Sequence, residues 1–364
     1  MKAKLLFTAL AALAALALTT VVSAKDKMPK EKDMAGYVMV YHKDADHGLH
    51  MAYSYDGYNW TALNGDKPIM AGDTIAEQKG IRDPYIFRAP DGAFCVAMTD
   101  LHVFGKRDGI RDTEWERDGR KYGWGNNRGL VLARSKDMIH WTRTNLDFTA
   151  LTCPMPVADE DGNRPSWKEV GCVWAPEMTT TEDGRIMMHF TTRTGGGYNY
   201  IAYVMMSPDF SKMETEPRLL VDGTQNDEGK RMDIIDSDIT KVGDTWHLFC
   251  VENGHPRHAT AAALTGPYTF VPFDDGVPES HEAPMLWKLI GQNKWILMTD
   301  RYSMHPHNFY FVETTDLNTF KPLGYFDGKD CPLKRSNFSE QKHGAVVQVT
   351  KKELEKLIKH WEGK

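Results

Sequence analysis

The stretch 282-EAPMLWKLIGQNKWILMT-299 reads as a strand, a tight turn at Gly291 and a second strand, with Glu282 standing at its head. Bulky apolar residues cluster on both sides of the turn, as a buried hairpin requires. A carboxylate at the mouth of such a strand is ordinarily a solvated turn residue. Here the arrangement recurs along the chain, as 83-DPYIFRAPDGAFCVAMT-99, 177-EMTTTEDGRIMMHFTT-192 and 236-DSDITKVGDTWHLFCV-251. Each copy is an acid-headed strand, a turn about eight residues on, and a second apolar strand.

A second repeat runs in step with the first. Ser or Thr, one residue, Asp, and a bulky side chain four residues later occur at Ser54–Trp60, Ser135–Trp141, Ser207–Met213 and Thr314–Phe320. A looser copy is Leu264–Phe270, which brings the count to five. Short alternating runs such as GLHMAYS and FYFVETT precede them, and helical patterning is nearly absent before VTKKELEKLIKHW at the C-terminus. Self-similarity at this spacing predicts an all-β, five-bladed β-propeller, in which the first strand of every blade lines a central channel. The fifth blade is expected to be split: His343–Thr350 as its inner strand, and YVMVYH, GLHMAYS and NWTAL from the N-terminus as its outer strands. Pairing the two chain ends closes the ring and leaves no free edge. A short C-terminal helix follows.

Residues 1–24 carry two lysines, an apolar run and a small-residue end at Val22-Ser23-Ala24, the pattern of a cleaved secretory signal. The expected organisation is signal peptide 1–24, a flexible segment 25–35 and a single propeller domain 36–364. The localisation that follows is periplasmic or secreted, with no membrane attachment after cleavage. A net charge of −6 without a basic stripe argues against a nucleic-acid partner. Mean hydropathy of −0.49 and the lack of a second long apolar run argue for a soluble protein, and a monomer is expected. Of the five cysteines, Cys95 and Cys250 lie in apolar strand patterns and read as core residues. Cys153 and Cys172 flank a polar excursion, where a disulfide and two free thiols are both open readings.

If Asp83, Asp236 and Glu282 head equivalent inner strands, they converge on one end of the channel. Gathering like charges is costly and raises at least one pKa, so folding alone gives no reason for it. The alternative is that each acid caps a turn in its own blade. Convergent carboxylates with unequal pKa values suit proton transfer.

The ordered set Arg82-Asp83-Pro84, Trp174-Ala175-Pro176-Glu177, Ile235-Asp236, Glu282-Ala283-Pro284 and His343-Gly344 resembles the family 43 glycoside hydrolases, which are five-bladed propellers. The resemblance spans nearly the whole mature chain. It implies an inverting hydrolase with Asp83 as general base, Glu282 as general acid, and Asp236 raising the pKa of Glu282 and orienting it. The third-blade motif departs from the family's Asp-Pro, reading Asp236-Ser237-Asp238, so Asp238 is the other candidate for that role; Asp236 is preferred because it stands eight residues before Asp244, as Asp83 stands before Asp91. Glu177 replaces the family's Asp after Trp-Ala-Pro and is expected to contact sugar or to complete the ring rather than to act as a catalyst.

Arg82, Trp174, Trp124, His281 and Arg301 complete the expected substrate contacts. His343 should point down the axis, where the resemblance allows a cation or water; calcium is one reading and a hydrogen-bonded His the other. No metal or organic cofactor is expected in the cleavage itself. The insertion Leu101–Arg128 holds Trp115, Tyr122 and Trp124 among charges, either as a sugar pocket or as a surface hairpin packing on its own blade. With the excursion Leu151–Gly171 and the segment Tyr302–His307, it should narrow the mouth into an exo-acting pocket.

The substrate implied is a terminal α-L-arabinofuranose of plant cell-wall polysaccharide, then β-D-xylose, then β-D-galactose. Rival readings are a fructan hydrolase, which lacks its Asn-Asp-Pro motif here, a mannoside phosphorylase, which needs a basic cluster for phosphate, and a non-catalytic sugar-binding propeller.

Overall fold

The computed structural model describes residues 28–110, 115, 117–159, 161–273 and 276–363. The expected signal segment 1–24 lies outside the described residues. Five antiparallel sheets form the blades, each running outward from an inner strand. These inner strands are Ile81–Arg88 (blade I), Val170–Thr180 (blade II), Ile234–Val242 (blade III), His281–Lys288 (blade IV) and Lys342–Thr350 (blade V).

Blade V is the split one. Lys342–Thr350 pairs antiparallel with Met34–His42, which continues to His50–Ser54 and Asn59–Ala62. A two-residue strand, Lys334–Arg335, adds to the outside in parallel. Closure therefore depends on backbone hydrogen bonds between the two ends of the chain. The N-terminal strand starts at Met34, two residues before the expected domain boundary at 36. The segment expected to be flexible is tied down over its described part: Glu31 accepts from Lys288 Nζ at 2.8 Å and from the Gly291 N–H at 3.1 Å.

The Ser/Thr-x-Asp repeat has a structural meaning. In blade V the Ser54 hydroxyl accepts the Gly57 N–H at 2.9 Å, and Asp56 accepts the N–H groups of Tyr58 and Asn59 at 2.8 and 2.7 Å. Asp137 and Asp316 make the same turns in blades I and IV. The residue after each Asp is left-handed, with φ +80° at Gly57, +58° at Met138 and Phe210, and +57° at Leu317. Glycine adopts that backbone freely, whereas a bulky residue is strained in it. Met138, Phe210 and Leu317 are buried, so the strain is offset by an apolar side chain driven into the core.

The helix Lys351–Glu362 opens on a capping box between Thr350 and Glu353. Glu353 also grips Arg88 of blade I with both oxygens, at 2.8 and 2.7 Å. Leu354 and Leu357 face the core. Leu354 approaches so closely that a Cβ on Gly36 would meet it at 2.6 Å. All five cysteines are free and buried. Cys153 and Cys172 therefore do not bridge; the Cys172 thiol lies against Asn199 and Arg193 at 3.6 and 3.4 Å. Cys95 and Cys250 are core residues, as expected.

Candidate active site

Each inner strand is interrupted near its head by a bulge whose central residue has positive φ: Asp83 (+49°), Ala175 (+44°), Asp236 (+53°), Ala283 (+55°) and His343 (+41°). A bulge frees one backbone N–H from the ladder and re-aims a side chain. The freed N–H groups are satisfied by neighbouring blades. Asp83 donates to His42 Nδ1 (3.2 Å), Ala175 to Thr99 Oγ1 (3.0 Å) and Asp236 to Thr191 Oγ1 (3.0 Å). Ala283 donates to Asp236 Oδ2 (3.1 Å) and His343 to Asp300 Oδ2 (3.2 Å). The strained backbone is thus held from blade to blade around the ring.

This register corrects the alignment of acid heads. Asp83 and Asp236 occupy the bulge itself, Glu282 stands one residue before it, and Glu177 two residues after it. A cavity of about 530 Å³ lies over the ring and is lined by Asp83, Asp236, Glu282, Arg82, Lys342 and His343 among others. The three expected acids therefore do converge on one end of the channel.

Glu177 and Asp238 sit one layer deeper and do not line the cavity. Asp238 accepts from Tyr85 Oη at 3.2 Å and from the Leu286 N–H at 2.9 Å. Glu177 is 2 % exposed, and burial beside Asp238 and Asp236 pushes its carboxyl well above the usual range. A neutral Glu177 bonded to Asp238 is how two acids share a dry site. Glu177 is accordingly a buried structural acid rather than a sugar contact.

The electrostatics of the upper layer divide the acids. Burial would raise Asp83, but His343 and Arg82 outweigh it and hold the carboxyl well below the ordinary range. His343 Nδ1 lies 3.2 Å from Asp83 Oδ1, and Thr99 Oγ1 donates to Oδ2 at 2.8 Å. Burial alone would lower His343; Asp83, with Asp236 and Glu282, prevails and lifts it to about 9. Glu282 moves the other way. Its burial, reinforced by Asp300 and Asp236 and opposed by Lys342, raises the carboxyl to about 8. Asp236 is raised to about 6, chiefly by burial.

Several participants escaped the sequence reading. Lys342 Nζ lies 3.6 Å from Glu282 and 3.8 Å from Asp300. Asp44 holds Arg82 at 2.5 Å and faces His307 Nε2 at 3.6 Å. His42, wholly buried, takes the Asp83 N–H. The adjacency of Lys342 to His343 was the available signal for the first. Asp44 sits in a turn after a strand and had none.

Among the expected substrate contacts, Arg82, Trp174 and Trp124 line the cavity, whereas His281 and Arg301 do not. His281 is fully buried and spends its ring nitrogens on Pro278 O (2.7 Å) and Tyr325 Oη (3.2 Å). Arg301, its cross-strand partner, is exposed away from the cavity. From the long insertion, Leu101, Val103, Phe104 and Trp124 reach the cavity. Trp115 is buried beneath Arg128, and the Tyr122 ring is covered by the Arg117 guanidinium at 3.4 Å, so neither offers a face. Trp124, 71 % exposed, stands edge to face with Trp174 at 6.1 Å. Tyr302, His305 and His307 close another side, while no described residue of the 151–171 excursion is among the lining.

Calcium prefers six to eight oxygen ligands. Around His343 the carboxylates are already balanced by Arg82, Lys342 and the raised His343 imidazole, with a ring nitrogen on the axis. That donor set does not fit calcium.

Two carboxyls shifted in opposite directions on one propeller cavity are an arrangement that sugar-cleaving hydrolases use. The chain is a member of the family described as a probable glycosyl hydrolase domain, which it matches over residues 32–355. That family is related to the family 43 glycoside hydrolases. No curated protein matches it.

Solved structures share the fold at low identity. An endo-1,4-β-xylanase from Bacteroides thetaiotaomicron has a TM-score of 0.54 at 13 % identity, covering 83 % of this chain and 94 % of that one. A family 43 protein from Bacillus licheniformis gives 0.52 at 15 %, with 87 % and 56 % covered. A xylan β-1,4-xylosidase from Bacillus halodurans gives 0.51 at 14 %, with 83 % and 55 % covered. The chain spans just over half the length of the last two proteins.

Proposed function

We propose that the protein is an inverting, exo-acting glycoside hydrolase that releases terminal α-L-arabinofuranose, and secondarily β-D-xylose, from plant cell-wall polysaccharide. The single observation that carries the reading is the opposed shift of two carboxyls on one cavity, Asp83 held ionised and Glu282 raised to about 8. Environments that push two acids apart assign a base and an acid. Asp83 takes a proton from water as that water attacks the anomeric carbon. Glu282 protonates the departing glycosidic oxygen, and the sugar leaves with inverted configuration. Asp236, whose carboxylate bears on Glu282, keeps that acid protonated near neutrality.

The cavity walls support exo action. Phe104 and Trp124 on one side and Tyr302 and His305 on another bound a space of about 530 Å³, the size for one or two sugar rings. The hydrolytic step needs no metal or organic cofactor in this scheme, because the charges that tune both acids are side chains. The basic groups are already engaged by Asp44, Asp300 and Glu282, which disfavours a phosphorylase.

Secretion through residues 1–24 and action as a monomer, with a glycan and neither nucleic acid nor membrane as partner, belong to the same proposal. No helix among the described residues is long and apolar enough to cross a membrane. The test is a panel of para-nitrophenyl glycosides. Release from the α-L-arabinofuranoside or the β-D-xyloside is expected; an inert panel combined with internal cutting of polymeric arabinan would overturn the exo reading.

A further inference from the structure

His305 and His307 form part of one wall of the cavity, and with Glu340 beside them they bring one donor atom each to within 4.8 Å of one another. We propose that these three side chains form a binding site for a divalent transition-metal ion of the zinc, cobalt or nickel type. Two imidazoles and one carboxylate are the donor chemistry such ions take, and one that calcium and magnesium do not favour.

The parts come from two segments and are held separately. His307 is 4 % exposed, at the start of an inward turn before the strand Phe309–Thr314. Its Nε2 faces Asp44 at 3.6 Å, while its Nδ1 is buried with no hydrogen-bond partner among the described residues. A buried ring nitrogen left unpaired is costly, and a ligating role supplies the missing partner. Glu340 is fixed by the His307 backbone N–H, which donates to Oε2 at 2.9 Å and leaves Oε1 for an ion. His305 is exposed, with its ring 4.4 Å from that of His307, and is free to rotate the remaining distance to a bonding geometry. Asp44 stands behind His307 as the carboxylate that orients metal-bound imidazoles. The site is separate from His343, whose Nδ1 is committed to Asp83.

The experiment titrates chelator-stripped protein with Co²⁺, followed by visible absorption, and with Zn²⁺ by calorimetry. One ion per chain is expected. His305→Ala and Glu340→Gln should each weaken binding by at least roughly 10–100-fold, the range for loss of a partner that only supports a ligand. Both side chains reach solvent, so the fold should survive, as far-UV circular dichroism would show. Asp83→Asn should bind like the parent protein. The proposal is overturned if no ion binds up to millimolar metal, if His305→Ala and Glu340→Gln bind as tightly as the parent, or if loss follows Asp83→Asn instead. None of these outcomes depends on hydrolytic activity.

Discussion

His343 and Asp83 face each other across the mouth of the channel, ring nitrogen to carboxylate oxygen at 3.2 Å, one from blade V and one from blade I. The strand that carries His343 reaches blade I because it pairs with the N-terminal strand Met34–His42, so ring closure itself assembles this ion pair. Each partner perturbs the other in the expected sense: the carboxyl falls well below its usual range, and the imidazole rises to about 9.

Replacing the imidazole should therefore be visible at the base. In His343→Gln the charge that holds Asp83 ionised is gone, so its pKa rises and the acid limb of kcat/KM moves up in pH. An acid limb unchanged from the parent would show that His343 does not control Asp83.

The alkaline limb belongs to Glu282, which must be protonated to act. Activity is expected to fall as pH rises through about 8. The Lys342 ammonium, 3.6 Å away, favours the ionised form, so Lys342→Met should push that limb higher. A downward shift would contradict the assignment.

Asp83→Asn and Glu282→Gln should each lower turnover at least about a hundredfold, while thermal melting stays cooperative. Asp236→Asn should approach that loss. Asp238→Asn alters a buried carboxyl pair below the cavity, and its main effect is expected on melting temperature rather than rate. If Asp238→Asn abolishes turnover in a fully folded protein, the layering of the two acids has no bearing on their roles.

Proton NMR of the first-formed sugar should show the inverted anomer. Retention would make Asp83 a nucleophile and require the two carboxyl groups to stand about 5–5.5 Å apart. In the same assay, treatment with a chelator should leave hydrolysis unchanged, since the scheme draws on side-chain charges alone.

The capping box joins stability to closure. Glu353→Ala leaves Thr350 as the cap but removes the carboxylate that accepts the Thr350 N–H in the capping box, together with the partner of Arg88, and should cost about 1–3 kcal/mol by denaturant unfolding. A change below about 0.5 kcal/mol would mean the helix is held by Leu354 and Leu357 alone.

Much of this molecule was legible in the sequence because it is repetitive. The strand pairs and Ser/Thr-x-Asp turns are local devices, so periodicity and turn chemistry disclosed five blades, the split fifth one and the terminal helix. The acid at each strand head was legible for the same reason, and it led to Asp83, Asp236 and Glu282. What the repeat did not disclose was depth. Asp236 and Asp238 lie two residues apart and share a face by strand periodicity, yet one lines the cavity and the other is sealed beneath it. Glu177 looked like another head and belongs to the lower layer, because the bulge falls at Ala175. His281 and Arg301, next to a true site residue in sequence or in pairing, point elsewhere.

Lys342, Asp44, His42 and Asp300 reach the acids from other strands and from the far end of the chain. Their effect is electrostatic, set by distances through a desolvated interior rather than by separation along the chain. Composition and period decide which surfaces must be buried, and hence the propeller. The ionisation of each acid depends on which charges the closed ring brings within a few ångströms of it, and only the tertiary structure decides that.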